Sequence, residues 1–481
     1  MMGIQSHEPD GLLAESPSLT VDLDFDVIYI VLSFLPPPDL VRIMSTCRTF
    51  NHAGVRHLLN FGVDLSSTKE IESFCAFMVA QAPIRYPFLR HLSIRADLLP
   101  SSESAHQLIE ILTHASRLET LHLSCDNLLR YRDRLQIACS SLTSLKEFSW
   151  RERSAWWERH PLYQMIKQMQ SPLVKADLQF YVSRGDIGPD PAMLLHHSSA
   201  TLEDLTVYRP TFQSELQFPR MRKLVVYRAD PPLTLIARIF PSLVDLTVSD
   251  SYRDRSRPNV ADDQHRKQNH TIQLAGGGFA SLDRLAGLPL DLYRLGLRCQ
   301  IRRVDILSLY YDAHDMVDCI LSDSHPSHVH LVLEEMFPCV RCLPDEVAAR
   351  LTYLRCTLNL TYFGGITNAL ASVTHYTFRT RVADVRMCSQ DAFRALLQRS
   401  PLTHFMLHFK NEIPDRVLTF IPEARPDVFA SRIIKSHRSI RYLAIKVADD
   451  EPLFWKMTTT ESGKIVVDKA PKEDLSVVME L

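Results

Sequence analysis

Cys339 and Cys342 are separated by two residues, and His328 and His330 stand upstream of them. Thiolate and imidazole side chains at such spacing are zinc-ligand chemistry. A structural zinc takes four ligands in a tetrahedron, and the chain has no second Cys-x-x-Cys pair. The apolar surroundings of these cysteines point instead to buried thiols. The sequence also contains no Gly-x-Ser-x-Gly, His-Glu-x-x-His, Walker A or Gly-x-Gly-x-x-Gly segment. His91, His122, His375 and His404 sit beside apolar, strand-like positions, and no nucleophile–base pair can be read from them. The expectation is a chain with no catalytic residue, no metal and no cofactor.

A recurring column of side chains carries a different chemistry, that of binding. Apolar residues at positions 1, 4 and 6 recur in Leu89-Leu92-Ile94, Leu118-Leu121-Leu123, Leu145-Phe148-Trp150, Leu173-Ala176-Leu178 and Leu202-Leu205-Val207. Later examples include Leu292-Leu295-Leu297 and Val373-Tyr376-Phe378. The residue after position 6 is basic at Arg95, Arg151, Arg298, Arg379 and Lys446, and is tyrosine at Tyr208 and Tyr227. Alternate side chains of a strand share a face, so these residues are the candidate target-binding set. Guanidinium pairs bidentately with carboxylate or phosphate, and tyrosine gives broad contact at low entropic cost. The chemistry implied is recognition of an acidic or phosphorylated protein segment. If some repeats are out of register, the column is a set of unrelated surface residues.

These side chains need a scaffold. The repeat starts at 89, 118, 145, 173 and 202 lie 27 to 29 residues apart, and leucine-rich repeats run roughly 20–29 residues. Stretches with helical spacing, such as Ser104 to Ser116 and Gln390 to Ser400, lie between the strand-like segments. The expected fold class is α/β: an N-terminal helical module, then an irregular leucine-rich-repeat-like solenoid with parallel strands on the concave side and helices on the convex side. Its expected parts are a disordered leader over 1–22, a helical module over 23–60, an array over 61–448 and a hairpin cap and tail over 449–481. A polar insertion at about 249–271 interrupts the array. Trp156 and Trp157 are expected to pack a convex helix.

Composition narrows the class further. Of 481 residues 46% are hydrophobic, enough for a large core, and the formal net charge of -2 lacks the basic footprint of a general nucleic-acid binder. Ten scattered cysteines read as reduced thiols. The longest apolar run, Val27 to Leu35, is too short to cross a bilayer and meets Pro36, Pro37 and Pro38. The first twenty residues carry no basic, signal-like segment. The expectation is a cytoplasmic or nuclear protein with no membrane and no nucleic-acid partner.

At the N-terminal end, Val27, Ile28, Val31, Leu32 and Leu35 form a wide apolar stripe on a helix, with Asp24 and Asp26 near its positive end. Asp39 can cap a second helix with an apolar face of Leu40, Ile43, Met44 and Cys47. Two helices this short need a cover, supplied either by the rest of the chain or by a partner. The order Leu23, acid, two apolar pairs, Leu35, Pro37-Pro38-Asp39-Leu40 and Cys47-Arg48-Thr49-Phe50 resembles an F-box from Leu23 to about Ala53. Where that family usually has Leu-Pro, this chain has Leu23-Asp24, without the proline that preorganises a first helical turn. The resemblance implies binding to a Skp-type adaptor, and through it to a cullin scaffold, by Leu23, Val27, Val31, Leu35, Pro37, Asp39, Leu40 and Ile43. It implies a non-enzymatic substrate receptor of an SCF-type ubiquitin ligase whose repeats hold an unknown target protein. The alternative is a leucine-rich-repeat scaffold for protein–protein interaction, outside any ligase.

Overall fold

Short segments with apolar side chains at alternate positions bury one face as strands, and the 3.6-period stretches between them cover that face as helices. The structure, a computed structural model, describes residues 25–96, 101–124, 132–151, 160–180, 188–229, 232–250, 258–309, 313–333, 343–359, 400–410, 430, 433, 439–447, 451–460 and 465–470. Three helices come first: α1 (Phe25–Phe34), α2 (Pro37–Met44) and α3 (Arg48–Asn60). Strands and helices then alternate as β1 (Val63–Leu65), α4 (Thr68–Val79), β2 (His91–Ile94), α5 (Ser102–His114), β3 (Thr120–Leu123), α6 (Arg132–Ser141), β4 (Glu147–Arg151), α7 (His160–Gln168), β5 (Lys175–Gln179), α8 (Pro191–Leu194) and β6 (Asp204–Tyr208). There follow β7 (Lys223–Tyr227), α9 (Leu233–Ile239), β8 (Asp245–Ser249), α10 (Val260–Leu274), β9 (Ser281–Gly287), α11 (Pro289–Leu295), β10 (Gln300–Leu309), α12 (His314–Ser324), β11 (His328–Leu333), α13 (Asp345–Ala348) and β12 (Tyr353–Asn359). The last strands are β13 (His404–Lys410), β14 (Tyr442–Val447), β15 (Leu453–Thr459) and β16 (Ile465–Lys469).

Among the described residues, sixteen strands make one open sheet in strict chain order. Pairing is parallel from β1 to β14, and antiparallel between β14 and β15 and between β15 and β16. The result is a mixed α/β, solenoid-like chain behind an N-terminal helical module. One apolar row runs through thirteen strands in register: Leu92, Leu121, Phe148, Ala176, Leu205, Leu224, Leu246, Leu285, Val304, Val329, Leu354, Phe405 and Leu443. All of them are buried, and burying a side chain of this kind contributes about 1.5–3 kcal/mol. The connection from β6 to β7 is an extended loop without a helix. Phe212 and Phe218 fill the layer there, packed against Phe240 at ring distances of 6.0 and 5.7 Å.

Two expectations change. Leu292-Leu295-Leu297 is not a strand: it lies mostly in α11, and β10 follows it. Positions 1 and 4 of the repeat pattern are also i and i+3 of a helix. The boundary signals were helical, with Pro289 in the first turn and Gly296, at φ +53°, closing the end. The polar segment at 249–271 is also not a loop throughout, because α10 starts at Val260. Asn259 accepts from the N–H groups of Ala261 and Asp262, and Asp262 accepts from the Asn259 N–H, a reciprocal cap. The polar face of α10 is paired on burial: Arg266 donates to the Tyr293 carbonyl at 2.7 Å and Asn269 to the Arg294 carbonyl at 3.0 Å. The leader, Trp156, Trp157, Val373-Tyr376-Phe378, Cys339 and Cys342 lie outside the described residues. Among the described residues, no helix is long and apolar enough to cross a membrane.

The N-terminal helices join the main core, since Leu32, Leu40, Val55 and Leu59 belong to the same buried cluster as the sheet's apolar row. Close approach of α2 and α3 depends on Gly54, where a Cβ would stand 2.3 Å from Met44 Cγ. Gly54→Val is expected to lower stability by about 1–3 kcal/mol through overpacking. The readout is a lower urea midpoint at unchanged slope; an unchanged midpoint would show that α2 and α3 have room to part.

Candidate functional site

Helix α1 is apolar nearly all round, a composition that belongs to a helix covered on every side. Its inner face is covered: Leu32 is buried, and Ile28, Tyr29 and Leu35 pack on the core. Its outer face is not. Phe25, Val27, Ile30, Val31 and Phe34 are exposed, Phe34 to 81%, and Val41 of α2 adds to them at 50%. Val27, Val31 and Phe34 follow one another at i, i+4 and i+7, so they line one stripe. Pro36 caps α2 in an extended conformation and Pro37 occupies its first turn, where proline's fixed φ suits a helix start. The prolines thus mark the turn from α1 into α2.

Of the residues expected to meet an adaptor, Val27, Val31 and Pro37 are exposed, while Leu35, Asp39 and Ile43 are half-buried. Asp39 is paired with Arg42 at 2.9 Å. Leu23 lies outside the described residues. Leu40 is corrected: it is fully buried and belongs to the core. Phe25, Ile30, Phe34 and Val41, also apolar and exposed, were not among the expected residues. Their signal was available, because a helix with apolar residues on both sides needs a second cover.

A second surface is the open face of the sheet, the side turned away from the apolar row. Its first row, read across the register, is Glu147, Lys175, Asp204, Lys223, Asp245 and Arg284. The signs alternate, and neighbours pair: Lys175–Glu147 at 2.6 Å, Lys223–Asp204 at 3.1 Å and Arg284–Asp245 at 3.1 Å. The same row continues through Arg303, opposite Arg284, and then as rings. His328 and Tyr353 stack at 5.3 Å, Tyr353 and His404 at 6.0 Å, and His404 and Tyr442 at 4.8 Å.

The expected basic column does not form a stripe. Arg95 is paired with Asp64 of β1, and Arg151 with Asp177 of β5 at 3.3 Å. Arg298 lies between α11 and β10, off the sheet, because its supposed strand is a helix. Arg379 lies outside the described residues. Lys446 is in β14 opposite His408. Tyr208 and Tyr227 do sit side by side, in register on β6 and β7, with ring centres 6.3 Å apart. The sequence column took one residue per strand, whereas the carboxylates Asp64 and Asp177 come from the neighbouring column of the same face.

Burial pushes the thiol pKa of Cys75 up to about 11 and that of Cys139 up to about 12. Among the described residues, no group of three or more His, Cys, Asp or Glu side chains is placed to hold a metal ion. The most buried charge on the open face is Asp305, 1% exposed, which accepts from Arg284 Nε and Arg303 Nε, each at 2.7 Å. Burial alone would raise its pKa, but the Arg303 hydrogen bond and the charges of Arg303 and Arg284 outweigh burial and hold the carboxyl below its ordinary value. Asp305→Asn leaves the guanidiniums facing one another and is expected to cost about 3–5 kcal/mol at pH 7. Because the folded pKa is depressed, this contribution is fully present above the unfolded pKa of about 3.9 and is lost as pH falls through the folded value. Denaturation midpoints of the wild type and variant should converge in acid; a constant gap would contradict the assignment.

A family model described as the F-box domain matches residues 21–60, the stretch that holds α1 to α3 and the exposed apolar stripe. Comparison with curated proteins gives no match. F-box domains bind Skp-type adaptors of SCF-type ubiquitin ligases, and a helix with an uncovered apolar face suits that contact. With the helical module, its exposed face and the family match in agreement, the chain carries an F-box domain over residues 21–60.

Proposed function

We propose that this protein is the substrate-receptor subunit of an SCF-type ubiquitin ligase. In this reading α1 and α2 dock a Skp-type adaptor joined to a cullin, and the open face of a leucine-rich-repeat-like sheet holds the protein to be modified. The chain performs no chemistry itself, and ubiquitin transfer belongs to subunits that the cullin brings, in the cytoplasm or nucleus. The observation that carries the reading is the uncovered stripe of Val27, Ile30, Val31 and Phe34 inside the family-matched segment. Apolar side chains at that density on one helix are retained in water when a partner covers them. A second reading has support in the shared core: α1 to α3 close the first end of the sheet, as the cap of a scaffold outside any ligase would. The two readings differ in whether the outer stripe of α1 is used.

Titration of the full chain with a purified Skp-type adaptor tests this. Val31 and Phe34 face outward, so Val31→Asp and Phe34→Asp leave the core intact. Each buries an unpaired carboxylate in the interface and is expected to weaken binding by about 3 kcal/mol, roughly a hundredfold. Unchanged affinity of folded variants, or no binding by the wild type, would favour the scaffold reading.

A further inference from the structure

A hollow of about 620 Å³ opens on the helix layer, between α6, α7 and the short helical turn His196–Ser198 that follows α8. Gln164, Lys167 and Gln168 of α7, Gln170 just after it, and His196 and His197 of the turn line it, and no lining residue is a carboxylate. The Lys167 ammonium is in no ion pair among the described residues. Gln136 donates to Gln168 Oε1 at 2.7 Å, which leaves the Gln168 amide N–H groups to donate in turn. The rings of His196 and His197 lie 3.8 Å apart, centre to centre. Burial lowers the pKa of His196, the charges of His197 and Lys167 lower it further, and the Met193 carbonyl opposes them. Every charge that bears on this ring is positive.

A wall of donors selects the ligand. An ammonium, three carboxamides and two imidazoles that donate from both nitrogens once protonated all suit an acceptor. A phosphate monoester offers three acceptor oxygens, no donor and a charge of about -1.5 to -2 at neutral pH. A carboxylate brings less charge, and a metal cation would meet Lys167 with no carboxylate to hold it. The volume lies within the roughly 300–1,000 Å³ of small-molecule sites, so the organic part of an ester fits beside its phosphate. α6 and α7 both end near the hollow, and helix C-termini disfavour an anion. The side chains therefore supply all of the attraction, through charge-assisted hydrogen bonds that outweigh an exposed helix end. We propose that this hollow binds a phosphate monoester, held by Lys167 and the amides of Gln164, Gln168 and Gln170, with His196 and His197 alongside. The site belongs to the helix layer and does not rest on the ligase reading. A phosphorylated metabolite and a phosphorylated side chain present the same group.

The test follows the melting temperature of the full chain at constant ionic strength with α-glycerophosphate, N-acetyl-phosphoserine amide, glycerol or N-acetyl-serine amide. The first probe stands for a metabolite and the second for a modified side chain, and the last two lack the phosphate. The expected result is a saturable rise with at least one ester and none with the alcohols, and the more potent ester identifies the source. A bound anion raises the imidazole pKa values, so protons are taken up on binding and the affinity should increase as pH falls from about 8.5 to about 7. Lys167 and His197 are exposed, so Lys167→Gln and His197→Gln should melt like the wild type without ester. In each the apparent affinity should fall about tenfold or more, whereas Lys167→Arg, which keeps the charge, should retain binding. Four results would overturn the proposal: no saturable response in the wild type, an equal response to the alcohols, an affinity unchanged in either glutamine variant, or an affinity independent of pH. Adaptor capture should be the same in all three variants, so failure here is distinguishable from failure of the ligase reading.

Discussion

Every feature of the sheet depends on one constraint, the unbroken in-register pairing of consecutive strands. Thirteen strands each give one apolar residue to a single row, and the helices bury it. A slip of one residue would turn that row to the open side and unmake the core. Burial therefore fixes the register, and the register fixes which side chains face one another on the open side. Like charges directly opposite are destabilising, and the row from Glu147 to Arg284 alternates in sign accordingly. Where the row changes to His328, Tyr353, His404 and Tyr442, stacked rings replace ion pairs as the cross-strand contact.

The strand positions were legible wherever apolar residues at positions 4 and 6 stood alone. Leu92 and Ile94, Leu121 and Leu123, and Phe148 and Trp150 all point into the core as their spacing implies. The pattern misled where it coincided with a helical turn, as in α11, where Pro289 and Gly296 outweighed it. Polarity misled in α10, whose buried face is made of Asp262, Arg266 and Asn269 bonded to its neighbours. A polar stretch reads as a loop when its partners are distant in sequence. The open face was least legible. Arg95 and Arg151 looked like available cations, but each meets a carboxylate about thirty residues away, and only the register brings these together.

The N-terminal helices serve two requirements at once. Their inner side chains, Leu32, Leu40 and Leu59, complete the core at the first edge of the sheet. Their outer side chains, from Val27 to Phe34, remain in water. The module is thus an integral end of the array that also presents an exposed apolar face. Leu40 shows why a family motif and a contact list differ: its motif position is kept, but its side chain works inward.

The central claim is that the apolar stripe of α1 joins this chain to a ligase scaffold. Affinity capture of the full chain from native extract, with identification of the co-purifying proteins, tests it most directly. The account expects a Skp-type adaptor and a cullin together, in amounts comparable to the chain, and their joint loss when Val31 is replaced by Asp. Recovery of the folded chain with neither protein, or recovery of both regardless of that substitution, would contradict it.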